Sequence, residues 1–406
     1  MTTPVKIEAD WLTAPSTTRL VDVLEVERPG AARFVGGCVR NAIMGRPVDD
    51  IDLATQLRPD RVMAALERAG IRTVPTGIDH GTVIAIVEGT PFEITTLRRD
   101  VETDGRRAIV EFTEDWSEDA ARRDFRLNAL YAEPNGTLHD PVGGGLSDAM
   151  DGQVIFIGDA DQRLREDYLR ILRFFRFNAW YGRRIDTAGA MACERQKHGL
   201  GSIAAERIWK ELRKLLAAPD PSLALAAMQD TGILAFVLGD DLGGTHRTAR
   251  LVSFERDIGE PPDPLRRLLT LIPGNKQWIE DFASRLRLSR RESGRLIAWA
   301  EPGLPALGDA ASAEVRAGIY RFGAEAVFDR ALVEHCRSDT PVKDAFIDAI
   351  RNWSPPRFPL TGDDAKGLGL SGAAIGRALK IAEQVWIDSD FTLDKPALMQ
   401  VLGERL

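Results

Sequence analysis

Strand-like patterning in this chain stops near residue 160, and that limit constrains its architecture more than any single motif. Before it, short apolar runs alternate with turn residues and brief amphipathic helices. "ARFVGG" (32–37) reads as a buried strand ending in a glycine turn, "CVRNAIMG" (38–45) as a short helix closed by Gly45, and "DDIDLAT" (49–55) as a second strand. "RPDRVMAALERAG" (58–70) has the marks of an amphipathic helix, with Pro59 at its start and Gly70 at its end. "TVIAIVEGTPFEITTL" (82–97) is two apolar runs around Glu88-Gly89, which signals a hairpin. The Gly/Asp-rich "TLHDPVGGGLSDAMDG" (137–152) reads as a boundary loop. Beyond it, "DQRLREDYLRILRFFRFNAWYG" (161–182) and "AAERIWKELRKLLAAPDP" (204–221) are helical, and helices continue to the end with breaks near 261–264, 301–305 and 354–359. The expected fold is therefore α+β: a mixed α/β head (1–150) around a sheet of about five strands, then a helical neck (151–218), body (219–335) and tail (336–406).

At 406 residues, with 44% hydrophobic and 28% charged content, the chain can bury a sizeable core. No apolar run reaches the roughly 20 residues of a membrane span. The N-terminal stretch lacks the apolar core of a secretory signal, so export is not expected. Three cysteines and five histidines, all well separated, argue against a disulfide framework or a Cys/His metal site and fit a reducing cytoplasm. The net charge of −8 disfavours a polyanionic partner, but residues 161–216 hold 13 Lys/Arg against 7 Asp/Glu. An acidic protein with one basic stretch can bind nucleic acid there, although a solvated helix face would look the same.

The chemistry concentrates in the head. Gly36-Gly37 between strand and helix lets backbone approach a bulky anion, and Arg40 one turn on can fork onto phosphate oxygens. Asp50 and Asp52, two apart on a strand, share a face. The repulsion between them is explained by a divalent cation or, more blandly, by a solvent-facing strand end. Glu93 projects from the face opposite Phe92 and Ile94. If its strand lies beside that of Asp52, three carboxylates converge, as a two-metal phosphoryl-transfer site requires.

Downstream, Asp167 and Arg170 are three apart in a helix expected over 166–177 and thus neighbours on its surface. A carboxylate accepts and a guanidinium donates, so the pair complements the Watson–Crick edge of C or A and opposes that of G or U. An ordinary i,i+3 ion pair is the competing reading. Leu169, Leu172, Phe174 and Phe177 form the expected packing face.

Together "GGCVRN…DDIDLAT", "FEITTLR", "RRDFRLNAL" (122–130) and "EDYLRILRFFRF" (166–177) resemble the class II tRNA nucleotidyltransferases and bacterial poly(A) polymerases of the polymerase-β-like superfamily. The likeness runs over residues 33–216. It implies that Asp50 and Asp52 hold Mg2+, two ions in all during catalysis, with Glu93 as the third carboxylate. It places Gly36, Gly37 and Arg40 at the triphosphate, and Arg123 and Asp124 at phosphate and ribose with Asn128 nearby. Arg173 and Arg176 join Asp167 and Arg170 in the nucleotide site. One departure stands out: the family usually carries aspartate where this chain has Asn41.

Within the family, "LRRDVETDGRRAIVEFTEDWSEDAARRDF" (97–125) resembles full CCA-adding enzymes, whose flexible element here switches from CTP to ATP. Its polar Asp100–Arg107 run reads as a mobile loop, with Asp104, Gly105 and Arg106 at its centre, or else as a variable surface loop. The tail "FPLTGDDAKGLGLSGAAIGRAL" (358–379) resembles the C-terminal segment of CCA-adding enzymes, which implies help in holding the tRNA elbow, or else its glycines only mark helix ends. The resemblance thus implies addition of C, C and A to tRNA 3′ ends from CTP and ATP, with no protein partner and no membrane. The alternatives are poly(A) addition to RNA or a non-catalytic RNA-binding protein with a decayed head.

Overall fold

The computed structural model describes residues 5–74, 81–104 and 107–405, with only the backbone described at 100–104, 107–110 and 405. The chain divides into two compact units, 1–240 and 241–406.

The first unit is built on a seven-stranded sheet, two short strands more than the sequence predicts. Its order is β3 (Arg72–Val74), β4 (Thr82–Val87), β5 (Thr90–Thr96), β2 (Ile51–Thr55), β1 (Ala32–Val35), β8 (Tyr131–Ala132) and β9 (Leu138–His139). The central pair, β2 with β5, is parallel, and every other pairing in this sheet is antiparallel. Glu88 and Gly89 both adopt positive φ, 51° and 83°, which matches the twist a two-residue hairpin needs between β4 and β5. Along β5, Phe92, Ile94 and Thr96 are buried while Glu93 is exposed, the alternation read from the sequence. Helices α1 (Pro15–Glu27) and α3 (Pro59–Arg68) pack together against the β4 side of the sheet. Pro59 opens α3 and Gly70 follows it at φ 65°, as the capping signals require. The short α2 (Gly37–Ile43) leaves β1 through the glycine turn.

The Asp100–Arg107 run, expected as a loop, is mostly strand. β6 (Arg98–Asp104) and β7 (Arg107–Phe112) form a separate antiparallel pair, with Asp104 opposite Arg107. Polar sequence misled here because this two-stranded pair stands apart from the main sheet, and its residues carry no apolar alternation to read. Gly105 and Arg106 lie outside the described residues. The boundary loop 137–152 likewise contains β9 and a short helix, α5 (Gly145–Asp151), after the short α4 (Trp116–Ala121).

The expected helix over 166–177 is in fact two. α6 (Ala160–Glu166) ends where Asp167 turns extended, φ −153°, and α7 (Leu169–Tyr181) begins two residues later. The Asp167 carboxylate accepts the Leu169 amide at 3.0 Å, a local side-chain turn that takes the place of continued helix. On α7, Leu169, Leu172, Phe174 and Phe177 are buried, the packing face read from the sequence. Phe174 stacks on Phe156 at 5.3 Å, and Phe177 lies 5.2 Å from Phe125. This shared aromatic core fixes the neck against the head. After α8 (Thr187–Gln196), α9 (Ala205–Leu216) packs along α7.

The second unit is helical from His246–Asp257 to Lys395–Arg405. One core gathers Val315, Ile319, Val327, Leu332 and Phe346, and another Leu360, Trp386 and Leu398. Among the described residues, no helix is long and apolar enough to cross a membrane.

Candidate active site

A cleft of about 920 Å³ opens in the first unit, and residues from β2, α2, the α4–β8 connection, α7 and α9 line it. At one end, the parallel register sets Asp52 of β2 directly beside Glu93 of β5. The adjacency that the sequence left conditional is therefore present. Burial, then the neighbouring Glu93 and Asp50 carboxylates, push the Asp52 pKa up to about 6 against the pull of Arg123. Asp50 and Asp52 line the cleft, whereas Glu93 is exposed on the sheet and is not part of the cleft wall. Among the described residues, no three His, Cys, Asp or Glu side chains gather around one point. The arrangement suits Mg2+, which often takes only one or two protein carboxylates and completes its shell with water and phosphate. Two crowded oxygen acids, one of them strained toward protonation, are the donor set such an ion relieves.

The glycine turn packs closely. Gly36 sits at φ 72°, and a Cβ there would lie 3.6 Å from Arg123 Nη1. Gly37 begins α2 at the cleft wall. Arg40 is buried. It donates to Asn128 Oδ1 at 2.6 Å, to Asn41 Oδ1 at 2.8 Å and to the Tyr181 hydroxyl at 2.7 Å. Asn128 Nδ2 in turn donates to Asp124 Oδ1 at 3.0 Å, and Arg173 Nε donates to Asp124 Oδ2 at 2.8 Å. One polar chain thus runs from α7 through Asp124 and Asn128 to α2. Burial would raise Asp124, but Arg173 and the other donors win and hold it below the usual carboxylate range. Asp124 therefore acts here as the pin of that chain, its oxygens already engaged.

Asp119 was missed by sequence reasoning and is central. It accepts from Arg122 at 2.7 Å, from Arg123 at 3.1 Å and from the Tyr131 hydroxyl at 2.7 Å. Its only sequence signal is its spacing of three and four residues from the two arginines on α4 and its C-terminal extension.

At the other end of the cleft, Asp167 and Arg170 both reach the wall but do not pair with each other. Asp167 Oδ2 accepts from Arg207 Nη2 at 2.8 Å, while Arg170 Nη1 meets Glu166 Oε2 at 2.5 Å and the Arg163 carbonyl at 2.9 Å. The helix break explains this, because the i,i+3 neighbourhood exists only on a continuous helix. Glu166, Tyr181 and Arg207 are further site residues the sequence did not single out. Arg176 pairs with Glu211 at 3.1 Å and lies over the Phe177 ring. Of the loop residues, Asp104 ends β6, and Gly105 and Arg106 fall outside the described residues.

Comparisons with known proteins agree with this geometry. Residues 32–155 match the poly A polymerase head domain, and residues 184–240 match a probable RNA- and SrmB-binding site of polymerase A. The chain is 32% identical over 383 residues to the mitochondrial CCA tRNA nucleotidyltransferase 1 of Danio rerio, covering 92% of this chain and 87% of that protein. It is 31% identical over 382 residues to the CCA-adding enzyme of Limosilactobacillus fermentum, covering 92% and 93%. The fold matches the crystal structure of the Bacillus stearothermophilus CCA-adding enzyme in complex with CTP, with TM-score 0.71, 24% identity, and 97% and 98% of the two chains covered. The chain belongs to the CCA tRNA nucleotidyltransferase family.

Proposed function

We propose that this protein adds C, C and A to the 3′ end of tRNA, drawing on CTP and ATP and releasing pyrophosphate, in the cytoplasm. The observation that carries the reading is one cleft with acids at one end and a rigid donor–acceptor pair at the other, joined by a wall of guanidiniums.

The terminal tRNA hydroxyl attacks the α-phosphorus. A new O–P bond forms as the hydroxyl proton passes to solvent, the bond to the β,γ-phosphates breaks, and pyrophosphate leaves in line. Asp50 and Asp52 would hold Mg2+, which when bound lowers the pKa of the attacking hydroxyl and offsets the charge of the triphosphate. Glu93 adds negative charge beside that position. Arg40 and Arg123 face the cleft where the phosphates would lie, and Gly36 keeps that wall free of a side chain. Because the aligned guanidiniums are already fixed by their partners, they need no reorganisation as charge develops.

Base choice falls to Asp167 and Arg170, with Arg173 and Arg176 beside them. Among the described residues, Asp167 has two acceptor positions in use out of about four, and Arg170 keeps an Nε–H and an Nη2–H beyond its bonds to Arg163, Glu166 and Arg122. Each is held still by a different neighbour and retains capacity for a base edge. Their separate anchoring pre-organises the pair better than a mutual ion pair would, since nothing must break when CTP or ATP enters. Residues 1–150 would serve as the catalytic head, 151–218 as the neck that reads the base, 219–335 as the body, and 336–406 as the tail that helps hold tRNA.

The test is incorporation of single labelled nucleotides into tRNA lacking its 3′ end, with Mg2+ present. Two C additions followed by one A are expected. Long A tails on any RNA would replace the reading with poly(A) polymerase, and tRNA binding without incorporation would replace it with an RNA-binding module.

A further inference from the structure

Six guanidiniums on the cleft wall each meet a carboxylate: Arg122 and Arg123 share Asp119, Arg170 meets Glu166, Arg173 Asp124, Arg176 Glu211, and Arg207 Asp167. Arg40 differs. It is 6% exposed, and among the described residues its hydrogen-bond partners are all neutral: the side-chain carbonyls of Asn41 and Asn128 and the hydroxyl of Tyr181. The Tyr181 ring also lies 3.8 Å from the guanidinium carbon. Burial pulls the Arg40 pKa below its ordinary value, against the opposing pull of Tyr181 and the Asp124 carboxylate. Asp124 reaches Arg40 only through Asn128, and a buried cation whose direct partners are all neutral is one that an anion arriving in the cleft would relieve.

Asn41 makes this arrangement possible. Its Oδ1 accepts both Arg40 Nε at 3.2 Å and Arg40 Nη2 at 2.8 Å, so it takes the guanidinium edge-on as a carboxylate would. Its Nδ2 donates to the Pro47 carbonyl at 2.7 Å, which ties the α2 side chain to the segment leading into Asp50. An aspartate of the same shape has no hydrogen to give Pro47 and would place its second oxygen against that carbonyl. It would also neutralise Arg40. The amide therefore aims the guanidinium, anchors the approach to β2, and leaves the positive charge unspent.

We propose that Asn41 is a positioning residue for nucleotide binding, which holds Arg40 through a neutral acceptor so that its full charge serves the polyphosphate of the incoming nucleotide. This rests on the nucleotidyltransferase reading of the cleft. It gives a role to the one position where the chain departs from its family's usual aspartate.

Asn41→Asp in the full chain tests it, with CTP, CMP and inorganic pyrophosphate as probes. The new carboxylate should weaken CTP binding and pyrophosphate inhibition by about tenfold or more, while CMP affinity changes by no more than about twofold. A loss that grows with the number of phosphates is the signature of charge. An equal loss for CTP and CMP, or unchanged CTP KM and pyrophosphate inhibition, would overturn the proposal. Should that variant fail to fold, Asn41→Ala removes the acceptor without adding charge. It should lower kcat and CTP affinity together while sparing CMP, and wild-type CTP kinetics in it overturn the proposal equally. Failure of the wild-type chain itself to bind CTP would remove the underlying reading, an outcome distinct from any effect of the variants.

Discussion

Replacing Asp119 with asparagine removes one charge and almost no volume, so its consequences can be worked out from the pairs around it. Burial alone would raise this carboxyl, but Arg123, Arg122 and the Tyr131 hydroxyl overcome that and hold it down from 3.8 to about 2. That depression corresponds to about 2 kcal/mol of stability at neutral pH. The substitution also strips two guanidiniums, with side chains 15% and 18% exposed, of their shared counter-ion. Breaking a buried pair costs about 3–5 kcal/mol, and the water both arginines retain puts this case at the lower end. Asp119→Asn should therefore destabilise the first unit by about 3 kcal/mol in urea unfolding at pH 7. Trp116 fluorescence is a suitable probe, since its ring meets Tyr131 edge-on at 5.3 Å. Because the folded pKa is depressed, the contribution of Asp119 is fully present above about pH 4 and fades as pH falls toward 2. The gap between wild type and variant should accordingly narrow only below about pH 4. A gap that is absent at pH 7, or that stays constant down to pH 3, would refute the account of Asp119 as the ionised anchor of Arg122 and Arg123.

Other outcomes follow from the same geometry. Asp52→Ala should abolish nucleotide transfer while gel-shift affinity for tRNA stays near wild type; retained transfer would remove Asp52 from the site. Exchanging Asp167 and Arg170 would set like charges against Arg207 and Glu166, so Asp167→Asn is the sharper perturbation. Its amide can donate to a carbonyl, and UTP or GTP incorporation should rise relative to CTP, whereas unchanged discrimination would mean the carboxylate does not read the base. Deleting Asp104, Gly105 and Arg106 should leave C addition intact and suppress the final A. Equal losses of C and A would assign those residues no part in the switch.

The placement of the acids was legible in the sequence because strand parity is local. Strand parity puts Asp50 and Asp52 on one face and sets Glu93 opposite Phe92. A pair of turn residues makes the β4–β5 hairpin, and Pro59 and Gly70 bracket α3. Each follows from backbone geometry over a few residues. Only the helical spacing of Asp167 and Arg170 failed, for the same local reason: one continuous helix is expected across a residue where the backbone turns extended. The β8 and β9 strands, at two residues each, were too short to carry any alternation.

What the sequence by itself determined is the partition into an α/β head and a helical remainder, together with the chemical types gathered for the site. Only the tertiary structure decided their partners. The parallel pairing of β2 with β5 brings Asp52 to Glu93 across 41 residues of chain, and α9 brings Arg207 to Asp167 across 40. The close packing of α7 on the head places Tyr181 over Arg40, 141 residues away. Periodicity records which face of an element is buried, whereas counter-ions and acceptors are chosen by whatever polar group burial leaves within reach. That is why Asn41 looked like a missing charge in the sequence, and why the structure shows it as the neutral hand that holds a buried cation.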